Sequence, residues 1–296
     1  MYIVELHQGP LEVAEVGGKA AALSYLLHHG ISVPPGFVLS TRAHREFLET
    51  FSFDLAKSDS DREMTDRVLP DAISAQVSQA LARFPLSTRF AVRSSAIFED
   101  LAEASFAGQY DTVLDVGYHQ VLSAILHCWS SQANQHAHTY ARKKGLAIGH
   151  GHMGVIVQAL VPADSAGVSF SLNPVTGADQ VVINSAYGLG ESVVSGIVTP
   201  DTYLIDKKTD QIQQILGEKE CMIRPASEGG TKTLDTPEGM RSRFSLSADQ
   251  VHAVYRLTLL LENLAGFPVD IEWAFEEQQL YCLQMRPIAL KGVIRA

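Results

Sequence analysis

Residues 270–288, DIEWAFEEQQLYCLQMRPI, read as two short strands joined by a polar turn. Side chains two apart on a strand share a face, so Asp270 and Glu272 project together while Ile271 and Trp273 project the other way. On the second strand Leu280, Cys282, Gln284 and Arg286 share one face, and Tyr281, Leu283 and Met285 the other. A three-residue loop of Glu277, Gln278 and Gln279 sets Glu272 directly opposite Gln284, with Cβ atoms roughly 5 Å apart. A carboxylate and an amide oxygen facing one point suit a hard cation such as Mg2+, which takes few protein ligands and completes its shell with water and phosphate oxygens. Arg286, two residues on, would reach the same phosphates. The alternative is an amphipathic edge hairpin whose polar face is only wet, and the hairpin alone does not separate the two.

Outward from the hairpin the chain mixes helix and strand patterns. A final helix is expected over about 248–264, preceded by residues 225–245, which are rich in Gly, Pro, Ser and Thr and read as a mobile loop. From MGVIVQALV (153–161) onward short strands follow one another, among them AGVSFSL, QVVINSA and TYLID. The first half reads as mainly helical. GGKAAALSYLLHHG (17–30) gives a helix entered through Gly17 and Gly18, with Lys19 in its first turn. Ser40 or Thr41 caps a helix through Leu48, residues 52–69 read as a surface excursion, and Ile73, Val77 and Leu81 mark another helix. RFAVRSS (89–95) is a strand, and a long helical pattern covers about 119–143. Without regular strand–helix alternation, the expected class is α+β in two lobes, with the site in the cleft between them.

The 296 residues, 46% of them apolar, suffice for a large core and an enzyme. A formal net charge of −10 argues against a sequence-independent grip on nucleic acid or anionic membranes, so phosphate must be held locally. No apolar run spans a bilayer, no leader pattern is seen, and three scattered cysteines fit a reducing compartment; a cytoplasmic protein is expected. His136 with His138, and His150 with His152, are read as exposed rather than metal-binding.

Three turns offer backbone to an anion. Gly17-Gly18-Lys19 puts N–H groups and a cation at one helix start, though it lacks the spacing of a Walker A loop. Arg93 leaves a strand beside two serines, and the turn Ser105–Gly108 lets backbone approach a polyphosphate closely. Gly188 and Gly190, in NSAYGLGES, serve either a third such turn or the fold alone.

GGKAAAL, VRSSAIFEDLAEASFAGQYDT, SLNPVTG, YGLGESVVSGIVTPD, DIEWAF and LQMRPI occur in this order. In that order they resemble the N-terminal, ATP-grasp-like nucleotide-binding domain shared by phosphoenolpyruvate synthase, pyruvate phosphate dikinase and rifampin phosphotransferase. The resemblance covers nearly the whole chain, and implies one nucleotide-binding module over residues 1–296 with interleaved lobes. It implies that Lys19 and Arg93 grip ATP phosphates, that Gly108 and Thr112 belong to a phosphate-covering loop, and that Gln158 lies near the adenine. It further implies that Glu272 and Gln284 bind Mg2+ and that Arg286 binds phosphate, so Lys19, Arg93 and Arg286 are the catalytic set. The family's phosphohistidine carrier and acceptor-binding domains have no counterpart in these residues. The expectation is therefore an ATP-binding module of an AMP-forming phosphotransferase, passing the β-phosphoryl group of ATP to a histidine on a separate domain or subunit. The small-molecule acceptor would be bound elsewhere. Rival readings are an ADP-forming ATP-grasp ligase and a nucleotide sensor without turnover.

Overall fold

Two antiparallel sheets organise the chain. The computed structural model describes residues 1–53, 64–97, 100–101, 104–105, 112–131 and 152–288. In chain order its strands are β1 (Ile3–Glu5), β2 (Gly36–Leu39), β3 (Arg89–Ala96), β4 (Asp100–Leu101), β5 (Ala104–Ser105), β6 (Thr112–Gly117), β7 (Met153–Ala159) and β8 (Ser165–Phe170). They continue with β9 (Gln180–Tyr187), β10 (Asp201–Asp206), β11 (Ile212–Ile215), β12 (Cys221–Pro225), β13 (Thr231–Asp235), β14 (Val269–Glu276) and β15 (Gln279–Pro287). The helices are α1 (Val13–Val16), α2 (Gly18–His28), α3 (Thr41–Phe51), α4 (Asp71–Leu81), α5 (Val121–Ser130), α6 (Glu191–Val194), α7 (Glu238–Arg241) and α8 (Ala248–Ala265). The α+β class expected from the sequence is observed.

The chain divides into two compact units whose segments interleave. The first comprises Met1–Gly30, Pro34–Leu160 and Ser227–Gly230, and the second Ile31–Val33, Val161–Ala226 and Thr231–Ala296.

In the first unit the sheet runs β1-β2-β7-β3-β6. Alternation sends Phe37, Leu39, Phe90, Val92, Val155 and Val157 to one face, where they cluster with Phe47 of α3, Ile73 and Val77 of α4, and Ile125 and Trp129 of α5. Each such side chain contributes roughly 1.5–3 kcal/mol by leaving water. Ile73, Val77 and Leu81 are buried as their spacing predicts. Among the described residues of the first half helices outweigh strands, as expected, although β1, β2, β3 and β6 contribute to a sheet there. Two sequence readings need correction. α3 runs to Phe51, and Ser40 precedes it without making a side-chain cap bond. Met64 and Leu69, inside the supposed surface excursion, join the core. Only Val121–Ser130 of the helix expected over 119–143 can be compared, since 132–151 lie outside the described residues.

A buried polar group in this core has a pH consequence. His44 is fully buried against Trp129 (ring centroids 5.1 Å), and its Nδ1 accepts the Met153 N–H at 3.0 Å, which fixes a neutral ring. Burial, with His152 nearby, lowers its pKa to about 3. A histidine whose folded pKa lies below its unfolded value stabilises fully above pH 6.5, and that stability is lost as pH falls toward 3. The loss is on the order of 4 kcal/mol. His44→Asn keeps an acceptor for Met153 but does not titrate. Melting curves from pH 7 to pH 4 should fall less steeply for the variant than for wild type, and parallel slopes would refute the assignment.

In the second unit the sheet runs β11-β10-β9-β8-β14-β15. Helix α8 packs on β8, β9 and β14. It starts with a capping box, where Ser247 Oγ accepts the Gln250 N–H at 3.3 Å and Gln250 Oε1 accepts the Ser247 N–H at 2.9 Å. It stops at Gly266, whose φ is 73°. Ile271, Trp273 and Phe275 are buried on one face of β14, and Ser169 and Thr258 hydroxyls meet at 2.8 Å between β8 and α8. Residues 225–245, expected as a loop, instead hold the turn and second strand of the β12–β13 hairpin and then α7. β13 is exposed along its whole length, so its sequence carries no apolar alternation to betray a strand.

Candidate functional site

The first unit collects four of the candidate residues on one sheet face, opposite the core. Arg93 of β3 pairs with Ile156 of β7 on one side and Thr112 of β6 on the other. Gln158 pairs with Ala91, two positions along the same face. Arg93 and Gln158 are thus diagonal neighbours, roughly 7–8 Å apart at Cα. Lys19 comes from the segment laid on the end of that face. The Ala20 N–H donates to Ser95 Oγ at 3.0 Å, and a Cβ on Gly154 would come 2.4 Å from the Val16 carbonyl oxygen. Gly17, at φ 81°, approaches Ser95 so closely that a Cβ there would lie 1.8 Å from its carbonyl oxygen. Gly17 therefore serves close approach of the Lys19 turn to the strand that carries Arg93.

Along this face lie, in order, the buried Lys19, the half-buried Arg93 with the exposed Thr112 beside it, and the buried Gln158. The Gln158 amide donates from Nε2 to the Pro34 carbonyl at 3.0 Å. Gly36, its β2 partner, leaves room for it, because a Cβ there would meet Gln158 Cγ at 2.8 Å. Gly108 lies outside the described residues.

The second unit holds the other three on the sheet face opposite Ile271 and Trp273. Glu272 pairs directly with Gln284, as expected, but by another route. The turn has two residues, Glu277 and Gln278, so Glu276 pairs with Gln279, and a bulge between Glu272 and Trp273 then shifts the register by one. Leu283 is the extra residue. The bulge also reverses the alternation, so Cys282 pairs with Trp273 on the buried face rather than sharing a face with Gln284. Glu272 is half-buried and Gln284 buried. A carboxylate and an amide oxygen, directly paired on one face, are a donor set that fits a hard divalent cation. Among the described residues no group of three or more His, Cys, Asp or Glu could hold a metal.

Arg286 pairs with Asp270, and both its Nε and an Nη lie 2.8 Å from Asp270 Oδ2. Burial raises the Asp270 pKa, against the lowering pull of Arg286. The raised direction means that desolvation outweighs the ion pair. Across β8, Glu272 pairs with Val168, which pairs with Asn184 on β9, and Asn184 Nδ2 donates to Thr202 Oγ1 at 2.8 Å. Sequence reading placed Asp270 on the Glu272 face without giving it a role; it missed Ser95, Asn184 and Thr202, whose places depend on long-range pairing. Gly188, at φ 81°, serves the fold, since a Cβ there would meet the Ile223 carbonyl oxygen at 2.3 Å.

The family model for the pyruvate phosphate dikinase AMP/ATP-binding domain matches residues 13–294. The chain belongs to this family. Several proteins resemble the chain over most of its length. An uncharacterised phosphotransferase of Bacillus subtilis is 38% identical over 97% of this chain and 35% of its own length. A probable phosphoenolpyruvate synthase of Methanocaldococcus jannaschii is 35% identical over 97% of this chain and 26% of its own. A rifampicin phosphotransferase of a Streptomyces species is 35% identical over 93% and 34%. The chain thus spans about a quarter to a third of the length of these relatives. Among solved structures, D-alanine–D-alanine ligase from Helicobacter pylori aligns over 93% of the chain at 10% identity and a TM-score of 0.37, a likeness too distant to argue from. Among the described residues no helix is long and apolar enough to cross a membrane.

Proposed function

We propose that this AMP/ATP-binding domain holds Mg2+-ATP for an AMP-forming phosphotransferase, in which the β-phosphoryl group of ATP passes to a histidine on a separate domain or subunit, AMP leaves, and the γ-phosphoryl group is lost to water as inorganic phosphate. The acceptor molecule is bound elsewhere. The observation that carries the reading is the pairing of Glu272 with Gln284 beside Arg286 in a member of this family. The first unit's residues supply the rest, with Lys19, Arg93 and Thr112 at the phosphates and Gln158 at the base. Glu272 and Gln284 would hold Mg2+, which when bound neutralises phosphate charge. Phosphoryl transfer needs chiefly positioning and charge neutralisation, and a set of cations with one carboxylate–amide pair provides both without a protein nucleophile.

Calorimetric titration with a slowly hydrolysed ATP analogue should show binding that depends on Mg2+. Glu272→Gln keeps size and removes charge, so Mg2+-dependent binding should weaken while metal-free binding stays near wild type. A folded Glu272→Gln protein with unchanged Mg2+ dependence would return the hairpin to a wet sheet edge. Product analysis with a relative's histidine carrier domain added should give AMP; ADP alone would overturn the reaction class.

A further inference from the structure

Two carboxylates lie within reach of one guanidinium on the face of the β14–β15 hairpin opposite Ile271 and Trp273. Asp270 is the direct partner of Arg286, and Glu272 is one same-face step farther along β14. A diagonal neighbour on a sheet, roughly 7–8 Å away, is within the span of an arginine side chain. Arg286 nevertheless places both Nε and an Nη at 2.8 Å from a single oxygen of Asp270. Asp270 is 7% exposed as a residue, so the contact forms where little water competes. An apolar residue would cover this sheet position at lower cost than a buried carboxylate, so the ion pair is weakly explained by stability alone.

We propose that Asp270 is a positioning residue that holds the Arg286 guanidinium away from Glu272 and aims it at phosphate. The inference rests on the reading of Glu272 and Gln284 as the Mg2+ pair. Without Asp270 the arginine swings to the next carboxylate, which is Glu272. That contact cancels the charge the cation needs and occupies an oxygen that would ligate it. Asp270 therefore keeps a cation-binding carboxylate and a phosphate-binding guanidinium from neutralising each other at adjacent positions of one hairpin.

The test is the Mg2+ concentration that gives half-maximal binding of a slowly hydrolysed ATP analogue, measured by calorimetry on variants shown to be folded by thermal melting. Asp270→Asn should raise it about tenfold, a coupling typical of neighbours that share one network. Asp270→Glu, which restores the carboxylate, should recover most of the loss. In the Asp270→Asn/Arg286→Ala double variant, which also removes the risk of an unpaired guanidinium in the fold, the Mg2+ requirement should return to that of Arg286→Ala alone. An unchanged requirement in Asp270→Asn, with Glu272→Gln still impaired, overturns this proposal alone. If Glu272→Gln is also unchanged, the metal reading fails and the proposal fails with it. A double variant as impaired as Asp270→Asn would mean that the arginine is not the competitor, and would also overturn it.

Discussion

Asp201→Ala is expected to destabilise the protein by about 3–5 kcal/mol, the cost of breaking one partner out of a buried ion pair. Both Asp201 and Lys219 are fully buried, and the Lys219 ammonium donates to Asp201 Oδ1 at 2.5 Å and to the Gly217 carbonyl at 2.8 Å. The carboxylate also accepts the Gly217 N–H at 2.8 Å through Oδ1, and the Ser245 N–H at 2.7 Å and Oγ at 2.8 Å through Oδ2. It therefore ties the turn after β11 and the approach to α8 onto β10. Alanine leaves an ammonium sealed from water with one carbonyl partner, and the melting temperature should fall by on the order of 10 °C. Arg83→Ala, at a bridge to Glu5 that is 47% exposed on the arginine side, should cost less than about 1 kcal/mol. The double variant Asp201→Ala/Lys219→Met should regain part of the loss, because no charge is then stranded. Equal melting points for Asp201→Ala and Arg83→Ala would refute the argument.

What the sequence revealed divides along a physical line. Elements whose pattern is local were legible, such as α4 from Ile73, Val77 and Leu81, or α8, expected over about 248–264 and found over Ala248–Ala265. The Glu272–Gln284 pairing was also reached, though from a three-residue turn where the chain uses a two-residue turn and a bulge. Both count the same number of residues between the pair, so the register survived and the face of Cys282 did not. A bulge leaves little trace in sequence, because it responds to the twist of the neighbouring strands. Strand β13 was invisible for a different reason: exposed along its whole length, it has no apolar alternation to separate it from a loop. At the site, residue types and family motifs pointed to Lys19, Arg93, Gln158, Glu272, Gln284 and Arg286. The supports beneath them were not legible. Ser95 meets the Ala20 N–H, Pro34 meets Gln158 and Asp270 meets Arg286 only because distant segments are laid side by side.

Gly17→Ala should follow from one of those supports, with loss of nucleotide binding out of proportion to a single methyl group. Gly17 has φ 81° and ψ 168°, a region populated essentially by glycine, which alone costs on the order of 1–3 kcal/mol for alanine. The new Cβ would also stand 1.8 Å from the Ser95 carbonyl oxygen and 2.4 Å from its carbonyl carbon. Those are backbone atoms of β3, two residues from Arg93, so no side chain can rotate to make room. The Lys19 turn must lift from the strand, which breaks the Ala20 N–H bond to Ser95 Oγ and carries Lys19 away from Arg93. Gly177→Ala separates the two contributions, because Gly177 has a similar φ of 71° with nothing within 4 Å of the added Cβ. It should cost about 1 kcal/mol of stability and leave nucleotide binding intact. Gly17→Ala should lose more than tenfold in affinity for the ATP analogue even where melting shows it folded, since a displaced cation forfeits a charge-assisted phosphate contact of roughly 1.5–3 kcal/mol. If the two variants bound nucleotide equally well, the close approach of Gly17 to Ser95 would serve the fold alone, and Lys19 would have no part in gripping phosphate.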